Sequence, residues 1–356
     1  MRIASIETLP CVQRQEDPSW NFARGAIPNV RGWIIRVRDT DGAEGFGYGH
    51  AMALVTGLPE ALPHAVAHYE KLLKDRPLAD LAAHAEAMGA ALVHAPGARA
   101  GVEMALHDLL ARRLSIPVGT LFGGRFRDRI PCARLLALKP PEGMAEKAAA
   151  LVAEGYRALK VKFSGDPALD AARLAAIRAA VGPAVRLSLD PNQAYSAKGF
   201  LQLFERICVH DIALVEQPVP ASDWDGLALL TARLGVPVEA DESAASLTDV
   251  ARLARTRMVD VMNLKPTKIG GIRDTLAAIA ICEAAGIGVR FGASFGPGLL
   301  QAFTSHLAAS LKHLEHSSEL AEHAHLLDDP FAPYPVVDGS VAVPDAPGTG
   351  LDLIAP

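Results

Sequence analysis

Six charged residues stand at intervals that suit joint chemistry: Lys160 and Lys162, then Asp190, Glu216, Asp241 and Lys265, with successive groups roughly 25 residues apart. Each follows or ends a short β-prone run, so parallel neighbouring strands would deliver all six to one mouth. Three carboxylates crowded there cannot all stay ionised without a cation. Hard oxygen donors in that number suit Mg²⁺, with Mn²⁺ as a substitute. A single acid after a strand reads more simply as the cap of the next helix; three in consecutive units favour the metal. Lys160 and Lys162, two residues apart on a strand, leave by the same face. Lys265 ends a strand four units further on, across the mouth. Desolvation and neighbouring cations lower a lysine pKa toward neutrality and give an amine able to act as a base. The competing role for these lysines is neutralisation of the acids.

The elements that must position these residues follow a rhythm. From about Pro131 onward, short β-prone runs alternate with alanine- and leucine-rich amphipathic stretches. Strands are expected at 133–138, 158–163, 185–189, 212–215, 236–240, 259–264 and 288–291, with helices at 170–181, 197–209, 247–254 and 272–285. An eighth strand is harder to place, and 315–320 is the best candidate. No glycine-rich phosphate loop follows these strands, which argues against a doubly wound sheet and for a (β/α)7β-type TIM barrel. Before Gly123 the rhythm is absent: 3–9 and 33–38 alternate like antiparallel strands, while 61–73 and 78–92 read as helices. The expected organisation is therefore an α+β capping domain over residues 1–122 and a barrel over 123–324. The proline-broken tail, 325–356, folds back on the capping domain.

With 356 residues, half of them hydrophobic, the chain can bury a large core, and its formal net charge of −5 offers no basic field for nucleic acid. Four scattered cysteines, Cys11, Cys132, Cys208 and Cys282, have neither zinc-site nor disulfide-framework spacing. The charged N-terminus does not read as a signal peptide, and no membrane-length apolar run occurs. The expectation is a cytoplasmic protein, a homo-oligomer, with no nucleic-acid or membrane partner.

In order, the strings Lys160-Val161-Lys162, Asp190-Pro191-Asn192, Val215-Glu216-Gln217-Pro218, Ala240-Asp241-Glu242-Ser243 and Asn263-Leu264-Lys265-Pro266-Thr267-Lys268-Ile269-Gly270-Gly271 resemble the enolase superfamily. The similarity is to its muconate-lactonizing-enzyme subgroup, within the mandelate racemase/muconate lactonizing enzyme family. Ala100–Leu110, through to Gly123-Gly124, is similar to that family's signature ahead of the barrel. The resemblance implies Asp190, Glu216 and Asp241 as Mg²⁺ ligands, Lys162 and Lys265 as acid and base on opposite faces of a small-molecule carboxylate, and Lys160 as an aid to the enediolate. It also points to Glu319 at the last strand as a substrate contact. Ser294, His50, Trp20 and Asn192 complete the expected substrate-binding set, His50 from a glycine-rich turn (Gly45–Ala51, with Met52 beside it) and Trp20 from an early loop shared with Phe22 and Arg24. The seventh-strand segment Arg290–Ser294 lacks the histidine of the mandelate-racemase type. Ser318-Glu319-Leu320 departs from the Asp-x-Asp of dipeptide epimerases. His323 and His325 form an HxH, but after the last strand. The implied activity is an isomerase, by racemisation, epimerisation or cycloisomerisation. A β-elimination lyase acting on a hydroxy acid or hydroxyproline-like substrate is the alternative, and a non-catalytic binding protein that kept the fold is the alternative of another class.

Overall fold

The computed structural model describes residues 1–53 and 56–354. Its larger part is a curled sheet of seven parallel strands in sequential order, Ala133–Leu136, Ala158–Lys162, Arg186–Asp190, Ile212–Glu216, Val238–Ala240, Val261–Leu264 and Gly288–Phe291. We refer to them as barrel strands one to seven. Helices follow strands one to seven, as right-handed parallel crossovers require.

Residues Ser318 and Glu319 close the barrel. Glu319 N–H donates to the Phe291 carbonyl of strand seven at 2.8 Å, and Ala133 N–H of strand one donates to the Ser318 carbonyl at 2.8 Å. The eighth strand is thus a bridge of a few residues, shorter than the 315–320 run expected. Several other strands are trimmed at one end, whereas Gly288–Phe291 and the helix Ile272–Ala285 have the expected bounds.

The N-terminal part is a three-stranded antiparallel sheet, Ile3–Arg14, Asn29–Asp39 and Glu44–His50, with helices Leu62–Leu73, Leu81–Ala91 and Pro96–Leu114. Glu44–His50 is a strand and not the glycine-rich turn expected. Its glycines serve close packing: a Cβ on Gly47 would meet the Gly101 carbonyl at 2.1 Å, so only a strand without side chains there lets the long helix lie against it. That helix is buried almost all round, from Gly97 to Ala111 with the exception of Arg99. One side meets the sheet, another the barrel, and such a helix carries no wet face. The tail reaches it too: Thr349 donates its N–H and hydroxyl to Asp108, and Arg112 pairs with Asp352 at 2.7 Å. Ser340–Ala342 pairs antiparallel with Arg129–Pro131. No helix among the described residues is long and apolar enough to cross a membrane.

Candidate active site

At the carboxyl ends of the barrel strands lies a cleft with about 690 Å³ of empty space, counting its open mouth. Lys160, Lys162, Asn192, Asp241, Lys265, Ser294 and Glu319 line it from the barrel, and Trp20 and His50 from the N-terminal part. Nine of the eleven residues singled out from the sequence therefore share one cavity. The other two, Asp190 and Glu216, are fully buried directly beneath it and bond to its lysines.

The pairing of strands fixes this geometry. Lys162 sits in register with Asp190 on the next strand, and its Nζ lies 2.5 Å from Asp190 Oδ2 and 2.8 Å from Asn192 Oδ1. Lys160 Nζ lies 2.8 Å from Glu216 Oε1, 2.9 Å from Glu319 Oε1 and 3.0 Å from Asp190 Oδ2. Across the mouth, Lys265 Nζ holds Asp241 Oδ2 at 2.5 Å. The three acids are not helix caps. The helices after them are capped by Ser196, Asp223 and Ser246, whose side-chain oxygens accept the first-turn amides.

Sequence reasoning missed four charged members of the cluster. Lys268 donates to Asp241 Oδ1 at 2.6 Å, and Glu242 lines the cavity wall. Arg290, 2% exposed, bridges Glu239 at 2.7 Å, Glu216 at 2.5 Å and Glu319 at 2.9 Å beneath the floor. Arg290 and Glu239 had a signal, a charge in the middle of an otherwise apolar strand. Phe22, Ile27, Met52, Leu135 and Phe295 add an apolar wall, on which Phe295 meets Trp20 edge to face at 5.0 Å. His323 and His325 do not converge: one binds the Tyr334 carbonyl and the other the Glu322 carboxylate.

The electrostatics correct one expectation. Burial pulls the Lys160 and Lys265 ammonium groups down, but the facing carboxylates, Asp190 first for Lys160 and Asp241 first for Lys265, outweigh it and hold both above the ordinary lysine value. Lys268 is lowered, by burial. Burial and then the charge of Asp190 push the Glu216 carboxyl well up, and Asp241 acts on Asp190, so the three acids share one electrostatic neighbourhood. His50 is neutral, brought down to about 4 by burial and the nearby Lys265, and its Nδ1 lies 3.1 Å from Thr56 Oγ1.

The donor set suits Mg²⁺: three buried carboxylates at the ends of three successive strands. Among the described residues no three His, Cys, Asp or Glu side chains stand in ready metal-ligand geometry. Ammonium groups hold the relevant oxygens, and a cation would have to take oxygens over from Lys160, Lys162 and Lys265.

Comparison with known proteins identifies the family. Residues 143–355 match the family described as enolase C-terminal domain-like, and residues 6–123 match the mandelate racemase/muconate lactonizing enzyme N-terminal domain. The chain is 32% identical over 301 residues to the hydrophobic dipeptide epimerase of Enterococcus faecalis, covering 83% of this chain and 84% of the relative. The muconate lactonizing enzyme of Pseudomonas fluorescens, solved with muconolactone, superposes with a TM-score of 0.95 at 31% identity, over 99% of this chain and 96% of the other. The Enterococcus faecalis dipeptide epimerase solved with Mg and L-Leu-L-Tyr superposes with a TM-score of 0.94 at 27% identity, over 99% of each chain. The chain thus belongs to the mandelate racemase/muconate lactonizing enzyme family, among the isomerases of the enolase superfamily.

Proposed function

We propose that this protein removes and returns the proton next to the carboxylate of a small molecule, with Lys162 and Lys265 as the two proton-transfer groups. One observation carries the reading. The two lysines reach the same cavity from strands two and six, which face each other across an eight-membered barrel. A base on each face allows one to take the α-proton and the other to return it on the opposite side, the requirement for racemisation or epimerisation. Lys160, set among Asp190, Glu216 and Glu319, supports the negative charge that collects on the substrate carboxylate. Asp190, Glu216 and Asp241 would hold Mg²⁺, which supplies a divalent charge at that carboxylate. The aromatic wall of Trp20, Phe22 and Phe295 excludes water and packs the rest of the substrate.

The experiment is a panel of carboxylates incubated with protein and Mg²⁺ in deuterated water, comprising N-acyl amino acids, dipeptides, muconates, betaines and hydroxyprolines. Mass spectrometry reads α-deuterium and polarimetry reads configuration. Solvent deuterium at the α-carbon with loss of configuration is expected for one class. Elimination without exchange would assign a lyase instead, and no turnover across the panel together with no Mg²⁺ binding by calorimetry would sink the reading.

A further inference from the structure

Resting on the reading just given, we infer that Glu103 and Arg99, on the buried helix of the N-terminal part, are positioning residues for Lys265 and not for Lys162. The two lysines are held in unlike ways. Lys162 is the last residue of strand two and is still paired in the parallel ladder, in register with Asp190 of strand three. Lys265 lies just past the end of strand six and opens a one-turn helix, Pro266–Ile269.

That turn is a closed knot. The Lys265 carbonyl accepts from Lys268 N at 2.9 Å and Ile269 N at 3.0 Å, and the Pro266 carbonyl accepts from Gly270 N and Gly271 N, both at 3.0 Å. Lys268 ties the knot inward, to Asp241 and to the Asn263 carbonyl at 3.1 Å. Its outer end is tied to the long helix Pro96–Leu114. Glu103 Oε2 accepts from Ile272 N at 2.8 Å and Arg273 N at 3.0 Å, while Arg99 donates to the Gly270 carbonyl and pairs with Asp274.

The double glycine exists for this approach. Gly270 and Gly271 have φ of 102° and 145°, and a Cβ on Gly271 would meet Glu103 Oε1 at 2.1 Å. No free segment separates Lys265 from Gly271, so a shift at the glycine end moves the Lys265 backbone. A displacement of about 1 Å at a reacting group costs on the order of 10²-fold in rate. Plain adhesion between cap and barrel would instead lower both proton transfers together.

The test uses the full chain with Glu103→Ala, Glu103→Gln and Arg99→Met. Amide hydrogen exchange is read without substrate, and α-deuterium exchange is read on the two hands of N-succinyl-arginine and of an Ala-containing dipeptide, or of whichever panel carboxylate the wild type turns over. Expected for Glu103→Ala is a loss of protection of tenfold or more at residues 268–273 with residues 160–163 unchanged. The same variant should lose ~10²-fold in exchange of the hand that Lys265→Ala silences, with the other hand within about threefold of wild type. Glu103→Gln keeps an acceptor oxygen and should recover most of both. Arg99→Met should follow Glu103→Ala more weakly, and it serves if the alanine variant does not fold. Unchanged protection at 268–273, or an equal fall of both hands, overturns the inference. A wild type that exchanges neither hand of any panel member defeats the proposed function instead, and the amide data still decide the positioning role.

Discussion

Replacing Arg290 with methionine should cost about 4 kcal/mol of stability. Its guanidinium is buried and holds Glu239 through Nε at 2.7 and 2.9 Å, and Glu216 and Glu319 through Nη2. Methionine fills most of the volume, so the loss is chiefly electrostatic. Breaking a buried ion pair from one side costs about 3–5 kcal/mol, because the partner charge stays behind in a low-dielectric place. Three carboxylates are left here, but Lys160 still serves Glu216 and Glu319, which limits the uncompensated group to Glu239. The compensating change is therefore Glu239→Gln. Glu239→Gln with Arg290→Met should recover about 2 kcal/mol relative to the sum of the single changes, within the range of directly coupled residues. Urea unfolding followed by circular dichroism at pH 7.5 measures all four proteins. A loss below about 1 kcal/mol for Arg290→Met, or strict additivity in the double variant, would refute the claim that Arg290 neutralises the layer beneath the cavity.

Lys162→Ala and Lys265→Ala should each lower turnover by about 10²–10⁴ while circular dichroism stays near wild type; a normal rate in either removes that lysine from the mechanism. Asp190→Asn, Glu216→Gln and Asp241→Asn should each weaken Mg²⁺ binding in calorimetry, and activity lost to a chelator should return with Mg²⁺; full activity in exhaustively metal-free protein would remove the metal. Acid should destabilise the protein through His107 and His306, both held neutral by burial at about 4 against an ordinary 6.5. The unfolded chain protonates first, so stability is complete above pH 6.5 and is lost as pH falls toward 4, by about 2 kcal/mol per histidine at pH 5. Urea midpoints at pH 7 and pH 5 measure this, and a His107→Gln, His306→Gln double variant with the same pH dependence as wild type would refute it.

The sequence was most legible where chemistry and periodicity coincide. Lys162, Asp190, Glu216, Asp241 and Lys265 each sit at or next to the end of a short apolar run, and that repeat alone located the mouth. Glu239 and Arg290 escaped because attention to strand ends passes over charges in strand middles, which normally face away from a core. Only the curl of the sheet shows that they face each other inside it. The closing bridge at Ser318 and Glu319 has no β-prone run of its own and is held by backbone bonds to two preformed strands. Trp20 could be nominated from composition, but its edge-to-face contact with Phe295 spans most of the chain and leaves no local trace. Gly45–Gly49 misled for a related reason: glycines that read as a turn were required by a helix some fifty residues on.

The tie between Asp108 and Thr349 also sets a timetable. Asp108 is fully buried, and besides Thr349 it receives the Phe46 amide and the Arg112 guanidinium. Its partner in the tail lies 241 residues further along the chain. At a synthesis rate of about 5–20 residues per second, the ribosome needs roughly 10–50 s to cover that distance. Throughout that interval the helix Pro96–Leu114 has been made but lacks both the tail and most of the barrel that cover it. A largely apolar helix of this length must wait in a partly covered state, shielded by its own three-stranded sheet or by a chaperone. The first third of this protein completes its burial only when residues near 350 arrive, which makes it an unsuitable piece to express alone.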